Sequence, residues 1–227
     1  MPHRIAMLLS CLVVAIGTWP AAACASGATL TGSVELWEPT DGRPVKMASH
    51  ENAVIFVAGF REAPQPGRHP QLIQKNKSFS QRVLVVTQGE TVEFPNHDPI
   101  FHNVWSKSGA RSFDLGLYRS PEAKPVEFPN LGIVTVFCNI HAEMIASILV
   151  LPNNKFAVSD AHGAYHIEGI PPGRHLVYAW VEGAVPVKRE VDFADGARVT
   201  QQFQLLLQRI PLRHLDKDGK PYKSYSN

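Results

Sequence analysis

Proline and glycine interrupt this chain so often that no stretch of helical period survives between them. The 18 prolines and 16 glycines are spread along 227 residues, and a proline inside a helix removes a hydrogen bond and clashes with the preceding turn. Short apolar runs of strand length lie between the breaks. Leu30, Val34 and Leu36 alternate with polar or small residues, as on a half-buried strand. Residues 53–60 (AVIFVAGF) form a continuous apolar run suited to burial on both faces. Further strand candidates are 72–73, 82–87, 91–94, 126–128, 133–137, 145–151, 176–181 and 199–207. Asp41-Gly42, Gly89-Glu90, residues 130–132 and Pro171-Pro172-Gly173 mark turns between them. Asp160-Ala161-His162-Gly163, between Val158 and Tyr165, predicts a hairpin. The pattern as a whole predicts an all-β chain of sandwich class.

The first residues follow a different rule. Arg4, an apolar run over 5–19 and small residues through Ala25 have the layout of a cleavable secretory signal over 1–25. Ala23 and Ala25 favour a cut after Ala25; a cut before Cys24 would leave a lipid-anchored N-terminus. A periplasmic or secreted location is the expectation. The run is short for a membrane span, and no later segment approaches about 18 uninterrupted apolar residues, so no transmembrane segment is expected. A formal charge of +2, with no basic run and no acidic tract, gives nucleic acid no footprint.

Cleavage after Ala25 removes Cys11 and Cys24 and leaves Cys138 as the one thiol in a chain sent to an oxidising compartment. Such a cysteine is buried and inert, paired between chains, or held by a metal. Cys138-Asn139-Ile140-His141-Ala142-Glu143-Met144 sets a thiol, an imidazole and a thioether on one loop, directly after one strand candidate and before another. Upstream, residues 95–104 (PNHDPIFHNV) add a second imidazole, His102. Two His and one Cys with a weak axial Met is the ligand set of blue-copper electron-transfer sites. Thiolate and thioether favour Cu(I), while imidazoles keep Cu(II) acceptable.

Each of these residues also has a plainer reading. Cys138 is a small buried hydrophobe at a strand end, Met144 a core residue, His102 a satisfied polar group beside a turn. Coincidence at four positions, His141 included, together with an exported lone thiol weighs against it. A structural zinc site would recruit more Cys or His. His97 stands as an alternative to His102, and Glu143 as an alternative to Met144. His162, His166 and His175 read as surface or packing residues.

Val92-Glu93-Phe94-Pro95-Asn96, then His102-Asn103-Val104, then Phe137-Cys138-x-x-His141-x-x-Met144 resemble the two copper-binding segments of cupredoxins, with the short ligand loop of amicyanin. The resemblance covers about residues 72–152. It implies a Greek-key β-sandwich with one type 1 copper, His102 as the buried imidazole ligand, Cys138 as the thiolate, His141 as the more exposed imidazole and Met144 as the axial ligand. It also implies that Asn103 braces the site by hydrogen-bonding to the ligand loop.

Residues 159–165 (SDAHGAY) and 170–174 (IPPGR) resemble the turns of carboxypeptidase-regulatory-like domains, which are small transthyretin-like or Ig-like sandwiches. The opening strands of such a domain are missing before Phe156 and are present at 30–60, with Asp41-Gly42-Arg43-Pro44 as the turn. The expected organisation is therefore a discontinuous sandwich over 28–62 and 153–208. A cupredoxin domain over 70–152 is spliced into one of its loops, where a longer closure costs little entropy. A polar tail over 209–227 is expected to be poorly ordered. The arrangement also resembles exported proteins described as methylamine-utilisation-like.

The functional expectation is a non-catalytic electron carrier whose redox partner protein docks near His141. Copper delivery to another exported protein is the alternative. Nothing in the sequence sets the oligomeric state.

Overall fold

A computed structural model gives the fold of residues 27–208 and 215–222. The signal read at 1–25 and tail residues 209–214 and 223–227 lie outside the described residues. The described residues contain strands and no helix, and hence no helix long and apolar enough to cross a membrane. The chain is all-β.

The strands fall into three successive blocks. The first comprises β1 (Ala28–Thr40), β2 (Arg43–Lys46) and β3 (Val54–Ala58). The middle block comprises β4 (Gln74–Lys75), β5 (Ser78–Phe79), β6 (Val83–Thr87), β7 (Thr91–Pro95), β8 (His102–Lys107), β9 (Ser112–Tyr118), β10 (Ala123–Glu127), β11 (Gly132–Cys138) and β12 (Ile145–Leu151). The last comprises β13 (Phe156–Val158), β14 (Ala164–Ile170), β15 (Gly173–Trp180), β16 (Val187–Phe193) and β17 (Arg198–Leu206).

The first and last blocks pair with each other. One sheet runs β14-β1-β17 with β2 beside β1, and the other runs β13-β3-β15-β16. β1 and β17 are parallel, with Leu30 opposite Val199 and Leu36 opposite Leu205, so the two ends of the fold close on each other. The alternation read at Leu30, Val34 and Leu36 points all three into a core with Ile55, Val57, Ile167, Phe193 and Phe203.

The middle block builds a second sandwich. Its larger sheet runs β6-β12-β11-β8-β9, faced by the pair β10-β7. Phe94, Phe128, Val104, Val136, Ile148 and Tyr118 fill the space between, and Cys138 and Met144 lie at one end of the same core. β12 is buried at every position, because its second face is also covered. Val83, Val85, Leu149 and Leu151 on that face pack against Val54 and Trp180 of the first sandwich. Burying a side chain of this kind contributes about 1.5–3 kcal/mol, so the two sandwiches meet through an apolar core. The continuous runs at 82–87 and 145–151 are thereby explained: their strands have no solvent face.

Three features depart from the sequence reading. The segment 159–163 is a turn but not a hairpin, because β13 pairs with β3 and β14 pairs with β1 in the opposite sheet. Asp160 Oδ1 accepts the N–H groups of His162 and Ala164, both at 2.9 Å, and turns the chain from one sheet to the other. Gly163 has φ +82° there, and a Cβ would stand 2.0 Å from the Val34 carbonyl oxygen. Strands β2, β4, β5, β8, β9 and β16 are absent from the sequence reading, and the candidate at 72–73 precedes β4 without forming a strand. β9 and β16 lie at sheet edges, where one flank faces solvent and residues such as Lys188, Arg189 and Glu190 can be exposed. Lys217 and Tyr222, in the segment read as a poorly ordered tail, hydrogen-bond to Asn139 and Cys138 at the end of β11.

Candidate metal centre

The end of β11 delivers Cys138, and the start of β8 delivers His102. Phe137 pairs with Trp105 and Cys138 with Val104, which sets the two donors on neighbouring strands. His141 follows on the six-residue loop between β11 and β12. Cys138 Sγ lies 3.6 Å from His102 Nδ1 and 3.9 Å from His141 Nδ1. The three ligand atoms fall within 4.8 Å of one another. Cys138 and His102 are fully buried, and His141 is partly exposed.

Met144 closes the loop and is buried in the core beside Cys138. Its carbonyl accepts the Cys138 N–H at 3.1 Å, and its own N–H donates to the His141 carbonyl at 3.1 Å. The loop that carries three of the expected ligands is therefore stitched to itself. His97 and Glu143, the alternative ligands, are exposed and stand outside the donor group.

The donor chemistry fits a soft first-row ion. Such ions sit about 2.0–2.3 Å from nitrogen and sulfur donors, and the observed separations enclose a space of that size. Burial opposes the Cys138 thiolate. The hydrogen bond with His102 and the N–H groups of Asn103, His141 and Ile140 outweigh that cost and hold the thiol below its ordinary range. The shift is toward the deprotonated sulfur that a metal ligand requires. Burial, followed by the positive charge of His102, lowers the pKa of His141.

His102 is oriented from behind. Its Nε2 lies 2.8 Å from Asp98 Oδ2, so Nδ1 is directed at the sulfur. Burial alone would lower the His102 pKa; the Cys138 and Asp98 hydrogen bonds override it and raise it. Asp98 is held in turn by the N–H groups of Asn76 at 2.6 Å and Lys77 at 2.9 Å. These two residues form the β4–β5 turn with φ +55° and +54°, the conformation of a tight two-residue hairpin. Asn96 shapes the connecting loop by accepting the Asp98 N–H at 2.8 Å and donating to the Ile100 carbonyl at 3.0 Å.

Asp98 escaped the sequence reading. A metal-bound imidazole commonly gives its other N–H to a carboxylate, so the acid four residues before His102 was the available signal. Asn103 touches the ligand loop through its main chain, with its carbonyl accepting the Asn139 N–H at 2.9 Å. Its side chain turns away and donates to Asp114 Oδ1 at 2.6 Å.

No family model matches this chain, and no curated protein matches it. Among solved structures the chain is similar to a purple cupredoxin from Nitrosopumilus maritimus, at 19% identity over 36% of this chain and 98% of that one, with a TM-score of 0.32. It is similar to amicyanin from Paracoccus versutus at 22% identity, over 42% of this chain and 96% of that one, with a TM-score of 0.33. A copper-containing nitrite reductase from Thermus scotoductus matches at 25% identity over 42% of this chain and 25% of that one, with a TM-score of 0.35.

Proposed function

We propose that this chain is an exported, non-catalytic copper protein that holds one ion through His102, Cys138, His141 and Met144 and carries single electrons. The observation that carries the reading is the buried Cys138 thiol facing two imidazole Nδ1 atoms at 3.6 and 3.9 Å. A copper ion held there supplies a Cu(I)/Cu(II) couple, and the thioether and thiolate match its reduced form. The residues around the donors limit rearrangement: Asp98 locks one imidazole, main-chain N–H groups brace the sulfur, and the loop hydrogen bonds hold Met144 in place.

Export rests on the pattern at 1–25 and agrees with a chain whose thiol is buried rather than open to oxidation. The proposed docking edge for a redox partner protein is His141, which is the most accessible of the three grouped donors. Ile100 and Phe101 are exposed just before the other imidazole, at 37% and 50% of their surface, and offer apolar contact area to a partner.

The deciding experiment is the visible spectrum of the purified mature protein titrated with Cu(II). One equivalent should produce an intense thiolate-to-copper band that is absent in Cys138→Ser. A wild-type protein that stays colourless, or a Cys138→Ser protein that keeps the band, overturns the copper assignment. Rapid electron exchange with retention of the ion supports the carrier; transfer of copper to an apo acceptor with slow electron exchange supports delivery.

A further inference from the structure

The residues nearest the C-terminus among those described are placed where a tail has no structural need to be. Residues 216–220 form a turn that supports itself: Asp216 Oδ1 accepts the N–H groups of Asp218 at 3.0 Å and Lys220 at 2.8 Å. The Gly219 N–H bonds back to the Asp216 carbonyl at 3.0 Å. From this turn the chain reaches the ligand loop at two points. The Tyr222 hydroxyl donates to the carbonyl of Cys138 at 2.7 Å, and the Lys217 N–H donates to Asn139 Oδ1 at 2.8 Å.

A third tie runs along the side of the site. Lys217 Nζ lies 2.6 Å from Asp114 Oδ2, and the other oxygen of that carboxylate accepts the side chain of Asn103. Lys107 Nζ in turn donates to the Lys217 carbonyl. Cys138, Asn139 and Asn103 lie where the end of β11 meets the start of β8, so the ties from Tyr222, from the Lys217 N–H and through Asp114 converge on the junction between the strands that carry the sulfur and the imidazole. The Met144 N–H is directed to His141, and the Cys138 carbonyl takes its hydrogen from Tyr222.

We propose that residues 216–222 are a strap that closes over the Cys138 side of the metal centre, with Tyr222 and Lys217 as positioning residues for the ligand loop. The proposal deepens the copper reading and rests on it for its spectroscopic consequences. The strap is a poised element: the Lys217–Asp114 pair is solvent-exposed and so adds little, ordering a segment of this length costs conformational entropy, and the neutral hydrogen bonds tip the balance. One such bond is worth about fivefold in the ratio of closed to open strap.

Two measurements separate the strap from the copper assignment. In the metal-free protein, alkylation of Cys138 by a small neutral reagent should report strap opening. Tyr222→Phe, which loses one oxygen atom, should speed alkylation about fivefold, and Asp216→Ala, which dismantles the turn, should speed it at least as much. Lys220→Ala, whose side chain makes none of these ties, serves as the control and should match wild type. In the copper-loaded protein the same two variants should lose the ion to a chelator about tenfold faster and shift the thiolate-to-copper band, with Lys220→Ala unchanged. Alkylation and extraction within twofold of wild type in both Tyr222→Phe and Asp216→Ala would overturn the strap. A colourless wild-type protein whose alkylation still depends on Tyr222 would overturn the copper reading and leave the strap standing.

Discussion

Asp98 and His102 meet at 2.8 Å through the ring nitrogen that does not face Cys138. The pair is nearly or fully buried, and the carboxylate is itself tied to the Asn76 and Lys77 N–H groups. The imidazole therefore has one orientation, decided by a hairpin more than twenty residues upstream in the chain.

Removing that carboxylate tests its part in the site. Asp98→Asn keeps the shape and loses the charge, and should weaken copper binding about 10–100-fold, measured by competition with a chelator of known affinity. Wild-type affinity in this variant would show that the ring is held by packing alone.

Met144 offers a milder change. Met144→Leu nearly conserves volume and should cost less than about 1.5 kcal/mol of stability, read from denaturant unfolding. The coloured Cu(II) form should persist with a shifted reduction potential, because a weak axial ligand tunes such a site without building it. Loss of the band in Met144→Leu would assign Met144 a larger role.

Charge placed at Ile100, exposed two residues before His102, or at Ala142, next to His141, tests the proposed docking edge. Ile100→Lys and Ala142→Glu should slow electron exchange with a redox partner while leaving the copper band in place. Unchanged exchange rates in both would move the docking edge elsewhere.

Topology makes a prediction about fragments. β14 and β17 take β1 as their partner, and β13 and β15 take β3. A fragment starting at Asn153 lacks both central strands and should remain unfolded by circular dichroism, whereas mixing it with a fragment covering 27–152 should restore strand signal. Cooperative folding of the C-terminal fragment alone would contradict the shared sheets.

Gly163 is a test of the corner between the sheets. Its φ of +82° and the 2.0 Å approach to the Val34 carbonyl leave no room for a side chain. Gly163→Ala should cost at least about 1–3 kcal/mol, seen as a lower unfolding midpoint at unchanged far-UV spectrum. A midpoint equal to wild type would mean the turn relaxes freely.

Much of this was written locally and could be read locally. Short apolar runs between prolines and glycines dictate strands because their spacing suits a period of two and interrupts any longer helix. The cluster at 138–144 shows its donors because soft ligands on one short loop have few other reasons to be together. Tertiary structure decided what depends on distant segments. It chose which sheet each strand joins, turning an apparent hairpin at 159–163 into a corner, because β3 and β1 compete for the strands on either side. It covered the second face of β12 with Val54 and Trp180. It also brought Asp98 to His102 through the β4–β5 turn and Tyr222 to Cys138 across 84 residues of sequence. A hydrogen bond between residues as remote as Lys77 and Asp98, or Tyr222 and Cys138, leaves no periodicity in either of them, so only the folded chain could reveal these two ties.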